Sequence, residues 1–206
     1  MKGNRRRARD PEITRTEILR AAEQEFARYG LAATRTEAIA AQTGATKSMI
    51  FYHFKSKEDL YQAVLVRAAS ELIKLSQMKT ESYSPEQALQ QLVEKLLKCL
   101  AINPNLPNLF HLEAIQNKGK YYEKIGMSMF FDKLISILQK GIAEGVFRPL
   151  EPRQTAVNIV GVCAFYFVVN ENLKYLWADQ QMFSQERLDS HTQEAMNLVM
   201  AGVKKM

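Results

Sequence analysis

Apolar residues recur along this chain at helical spacing almost from end to end. After Pro11, which suits a first helical turn, Ile13, Ile18, Ala21, Ala22 and Phe26 mark one helical face. Gly30 stands where a helix commonly ends. Thr34 to Glu37 reads as a capping box, with a threonine hydroxyl and a glutamate side chain capping backbone amides reciprocally. It predicts a short helix to about Gln42. Gly44 interrupts the chain, and Thr46 is placed to cap a second short helix from Lys47 to His53. Ser56-Lys57-Glu58-Asp59 then opens a long helix to about Gln77. Two short helices joined by a tight glycine-containing turn, behind a longer first helix, make a helix-turn-helix unit.

The same spacing continues. Ser84-Pro85 starts a helix to about Ala101, and the cluster Asn103 to Pro107 breaks it. A segment from Asn108 to Gln116 follows, then a helix from Tyr121 to Glu144 closed by Gly145. Pro152 to about Trp177 reads as one long, strongly apolar helix, and Ser184 to Val203 as the last. No alternating strand pattern and no internal repeat stands out. The expected architecture is all-α, in three parts: a flexible basic arm over 1–10, a helix-turn-helix domain over 11–55, and a helical body over 56–206.

Charge changes the picture. The 206 residues carry a net charge of +6, and all of it lies in the first quarter. Residues 1–57 hold twelve Lys and Arg against six Asp and Glu, whereas the remainder holds sixteen of each. A cationic excess confined to the helix-turn-helix end points to phosphate. Cys99 and Cys163 sit in apolar helical contexts and read as small buried hydrophobes, with no disulfide framework or metal-ligand spacing. The basic start lacks the apolar run of a signal peptide. The most apolar run, 157–169, is too short to span a bilayer. These features predict a cytoplasmic chain with no membrane partner. His53, His111 and His191 show no nucleophile or metal spacing, and no glycine-rich phosphate loop is present. The chain is not expected to be an enzyme or to hold a cofactor or metal.

The stretch Gly30 to Leu60 carries the chemistry. Ala38, Ile39, Ala45 and Ile50 can hold the two short helices inward. That leaves Lys47, Ser48, Phe51 and Tyr52 on the outer side of the second. Short polar, cationic and aromatic groups there can meet base edges, thymine methyls and phosphates in a major groove. Lys55 and Lys57, beside the free amides of the next helix, make a phosphate clamp. Thr34, Ile39-Ala40, Gly44, Ile50, Phe51-Tyr52-His53-Phe54 and Lys55 to Leu60 together resemble the TetR family of helix-turn-helix transcriptional regulators, over about residues 12–62. The resemblance implies that Lys47, Ser48 and Met49, behind Thr46, face bases. It implies that Phe51 and Tyr52 touch thymine methyls and phosphate, that His53 and Lys57 meet phosphate, and that Arg35 and Thr36 begin a helix over the DNA backbone. Phe51 stands where the family usually has tyrosine, and Thr36 where an apolar residue is usual. The Arg-rich arm, if it touches DNA, would enter the minor groove.

The resemblance also implies a body that dimerises and holds an effector. A helix apolar nearly all round, as over 157–170, must be covered on every side. One side would face the body and another a partner copy. Ala195, Met196, Leu198, Val199 and Val203 would form the second half of that interface. Phe110, His111, Gln116, Asn158, Val162, Tyr166 and Asn170 are the candidate effector contacts, for a small, mostly apolar or aromatic molecule. The expected function is a dimeric regulator, a repressor, of a palindromic operator, released by such an effector. The alternative is an effector-free DNA-binding or nucleoid-associated regulator.

Overall fold

A computed structural model describes residues 11–177 and 181–205, with side chains from residue 15 onward. The basic arm read over 1–10 lies outside the described residues. The order among them is α1 (Pro11–Ala33), α2 (Thr36–Thr43), α3 (Lys47–His53), α4 (Lys57–Ser76), α5 (Pro85–Ile102), α6 (Asn105–Asn117), α7 (Ser128–Ala143), α8 (Pro152–Val168), α9 (Asn170–Leu176) and α10 (Gln185–Val203). The fold is all-α. Its nearest approach to a sheet among the described residues is an isolated bridge between Phe147 and Lys204.

Local chemistry sets the helix ends. Ser84 and Gln87 form a full capping box at the start of α5. The box expected at Thr34 does not form. The Thr34 hydroxyl instead donates back to the carbonyls of Gly30 (2.8 Å) and Glu25 (3.1 Å) at the end of α1. Arg35 is left as the first-turn cap of α2 without a side-chain bond. Carbonyls left over at one helix end compete with amides left over at the next, and here the carbonyls win. At Gly30, read as the end of the first helix, the backbone leaves helical conformation with φ of 75°, and one further turn of α1 follows beyond this kink.

Two long helices of the sequence reading are broken. The stretch from Tyr121 holds a 3₁₀ turn at Glu123–Ile125 and a left-handed Gly126 before α7 begins. The apolar helix after Pro152 bends by 71° at Val169. There the Asn170 amide donates to the Phe167 carbonyl (2.6 Å), competing for the end of α8. No single helix among the described residues is long and apolar enough to cross a membrane.

One continuous core runs from Ile18 and Phe26 of α1 through Leu65 of α4 and Leu92 and Leu96 of α5. It continues to Leu134 and Leu138 of α7 and Ile159 and Phe167 of α8. Phe147 is fully buried and lies so close to Gly141 that a Cβ there would stand 2.0 Å from its ring. Both cysteines are free. Burial raises the Cys99 thiol to about 11 and the Cys163 thiol to about 12, so neither is a ready thiolate.

The three-helix end joins the body through α4, which packs on both α1 and α7, and through α6, which packs on α1 and α8. At that joint the carboxylate of Glu113 is buried. It accepts from the Tyr61 hydroxyl (3.0 Å), the Asn117 amide (2.6 Å) and the Tyr121 backbone N–H (2.8 Å). Burial first, and the neighbouring carboxylate second, hold the Tyr61 hydroxyl well above the ordinary phenol range, so it stays a donor.

Candidate nucleic-acid interface

The outer face of α3 is fixed by what lies behind it. Ile39 of α2, Ile50 of α3 and Phe54 are buried against α1, and Ala45 closes the turn. Gly44 ends α2 in the left-handed conformation, with φ of 66°. The Thr46 hydroxyl oxygen then accepts from the Met49 N–H (3.2 Å) and starts α3. With Ile50 inward, Lys47, Ser48, Phe51 and Tyr52 are exposed. Tyr52 is 84% exposed and Phe51 36%. Two adjacent aromatics standing in water beside a lysine lose apolar burial that the fold alone would favour.

The face carries its own electrostatics. Lys47 Nζ lies 2.6 Å from a Glu37 carboxylate oxygen, and 6.0 Å from the Phe51 ring centre. The ammonium holds the Glu37 carboxyl below its usual range. Exposed as it is, the pair contributes little to stability. His53 is half-buried, edge-on to the Tyr52 ring at 5.4 Å. Phe54 is core, with the Arg15 guanidinium over its ring at 5.1 Å. Arg35 and Lys55 are exposed on either side.

Three of the expected contact residues are wholly or partly engaged within the fold. Thr36 is buried, and its hydroxyl bonds within the fold to Glu37 (3.3 Å). Its buried position is one where an apolar side chain would also fit. Met49 is half-buried and packs on the core, facing away from the Lys47–Phe51 side. Lys57 Nζ donates to the carbonyls of Ala32 and Thr34 (3.2 Å each), capping the end of α1. Glu37 went unmarked as a surface group. Its signal was its place in the first turn of α2, ten residues before Lys47.

The seven effector candidates do not converge on one cavity. Asn158 is exposed and accepts from the Gln154 amide (3.2 Å). His111 is exposed, and Phe110 packs on the core. Gln116 lies over the kink of α1, where a Cβ on Gly30 would meet its Oε1 at 1.8 Å. Tyr166 donates to the Met182 carbonyl and stacks on the His191 ring at 4.5 Å. Asn170 is committed to the α8–α9 bend. Val162 and Tyr166 do share a surface groove, with Phe165, Ala195 and Leu198. A polar residue on an apolar helix can be satisfied by a turn or a neighbouring carbonyl as well as by a ligand.

Comparison with known proteins agrees with this geometry. Residues 18–64 match the model of bacterial regulatory proteins of the tetR family, and residues 85–199 match the tetracyclin repressor-like C-terminal domain. The chain is similar to the HTH-type transcriptional repressor SCO4008 of Streptomyces coelicolor: 26% identical over 168 residues, covering 81% of this chain and 84% of the relative. It is 28% identical over 172 residues to the HTH-type transcriptional repressor NicS of Pseudomonas putida, covering 78% of each. Among solved structures, HlyIIR, a hemolysin II transcriptional regulator, shares the fold with a TM-score of 0.71. That match has 23% identity and covers 96% of this chain and 100% of that one.

Proposed function

The chain belongs to the TetR family of bacterial transcriptional regulators, and from that premise we propose that it represses transcription by laying α3 in the major groove of a palindromic operator, as a two-fold dimer. The observation that carries the reading is the α3 face, where Lys47, Ser48, Phe51 and Tyr52 stand outward over a fully buried Ile50. Lys47 and Ser48 supply donors for base edges, and Phe51 an apolar edge for thymine methyls. The Tyr52 hydroxyl and Lys55 reach the phosphates on one flank, and Arg35 on the other. Lys57 uses two of its three donors on carbonyls of α1 and keeps one for phosphate.

Dimerisation is supported by the α8–α10 side. Phe165 (64%), Val157 (55%) and Leu198 (61%) are exposed there. Phe165 and Leu198 line a groove of about 480 Å³ with Val162, Tyr166 and Ala195. A contiguous exposed apolar face of this kind marks an interface. Val199 and Val203, expected at that interface, are buried inside the protomer, so Leu198 is the α10 residue that faces a partner. A two-fold axis through this face presents two α3 helices to two half-sites.

The DNA face is tested by fluorescence anisotropy on random-sequence duplex over a range of salt. Affinity falls steeply with salt, and Lys55→Ala lowers the log–log slope by about 1, the loss of one phosphate contact. An unchanged slope in Lys55→Ala would remove that flank from the interface.

A further inference from the structure

We propose that the cleft between α1, α4 and the end of α5 is an anion-binding site for a small molecule bearing a carboxylate or phosphate. The cleft holds about 790 Å³ and shares no lining residue with the α8–α10 groove. Its walls bring four cations, Arg20, Arg67, Lys95 and Lys98, together with two carboxylates, Glu23 and Glu71.

The acids are already engaged. Glu23 is buried and accepts from the Asn103 amide (2.9 Å), and Glu71 pairs with Lys74 (2.6 Å). Lys98 is likewise paired, with Glu94 (2.7 Å). Arg20, Arg67 and Lys95 make no ion pair among the described residues. Arg67 Nη1 is closed off from solvent and has no hydrogen-bond partner among them. A buried polar group without a partner is costly, and more so when charged. A carboxylate or phosphate in the cleft would neutralise the cluster, and a turn of the Arg67 guanidinium would bring its unpartnered nitrogen to that oxyanion, since guanidinium donors match both geometries. Leu75 and the half-buried Cys99 offer an apolar patch beside the charges for the rest of the molecule.

The position gives such a ligand leverage. Arg20 lies on α1 and Arg67 on α4, the helices that carry the α3 face, whereas Lys95 and Lys98 lie on α5 of the body. An anion held by all of them ties the two parts together and biases their relative placement. The regulatory role rests on the DNA-binding reading above, but the site does not. It also replaces the apolar effector expected from sequence with a charged one.

The test is isothermal titration calorimetry on the full chain without DNA, using citrate and, separately, pyrophosphate, each against sodium chloride of equal ionic strength. We expect a saturable site, one per chain, for at least one probe, and the probe that binds names the class. Arg67→Met weakens it about 10-fold or more, as loss of a charged hydrogen bond should. Lys95→Met, on the exposed rim where folding is not at stake, weakens it in the same direction. Without anion, the melting temperature of Arg67→Met is unchanged or higher, because the orphaned nitrogen is gone. The paired change Arg35→Ala and Lys55→Ala leaves anion binding intact. Absence of saturable binding with both probes would overturn the proposal, as would equal binding by both Met variants. Loss of binding in the Arg35 and Lys55 variant would place the anion on the DNA face instead. None of these failures touches the operator reading, since no DNA is present.

Discussion

Lys57 shows how a single side chain on this surface divides between fold and partner. A cluster of lysines beside a helix start reads from sequence as a phosphate clamp, and Lys55 stands exposed as that reading expects. Lys57 instead turns toward Ala32 and Thr34, whose carbonyls lie at the end of α1, where no helical donors follow. Sequence shows the charge but not which carbonyls lie within reach, because that depends on how α1 and α4 cross. Lys57→Ala is therefore expected to lower folding stability by about 1 kcal/mol, the scale of one hydrogen-bonding group at a half-exposed site. Thermal or urea unfolding without DNA measures it, and an unchanged midpoint would mean that the contacts with α1 are incidental. Thr36 carries the same lesson. The resemblance set it over the DNA backbone, but its side chain, next to the exposed Arg35, is turned into the core.

At the scale of elements, starts were more legible than interruptions. Ser56 and Ser84 cap α4 and α5 as their sequence contexts indicate, Gly44 ends α2, and Thr46 starts α3. These are local effects, decided within four residues. The breaks at Gly126 and Val169 were not legible, because periodicity continues across them and the competing partners are tertiary or side-chain groups. Packing between elements was legible only as apolar faces. The contact of Phe147 with Gly141 is an example: the glycine looks like an ordinary interior residue of α7, yet it makes room for a fully buried ring. Gly141→Ala should raise the helix propensity of α7 and still destabilise the fold by about 1–3 kcal/mol, since the ring has to move. Urea unfolding decides it. A stabilised variant would show that the ring relocates freely.

At the scale of the whole molecule, the charge split and the α3 face point one way, and the α8–α10 face is the one proposed to pair two copies. The apolar character of both interface helices could be read from sequence. Which residues of α10 face outward could not, because Leu198 and Val199 differ only in the side to which packing rotates them. Light scattering should give twice the 23.6 kDa chain mass. Leu198→Glu should give the single-chain mass with helical circular dichroism retained, because a charge on this face is costly only when a partner buries it. A native monomer before mutation would rule out this interface. The proposed operator recognition needs both faces together, and the most direct measurement of it is selection of bound duplexes from a random pool. The account predicts enrichment of two inverted half-sites, with centres about one helical turn or a multiple apart. It also predicts that Lys47→Ala relaxes the choice at a base pair within each half-site, by roughly 1–3 kcal/mol. A pool that remains random after repeated rounds, or one that yields the same motif and the same discrimination with Lys47→Ala, would contradict reading of the operator by this face of α3.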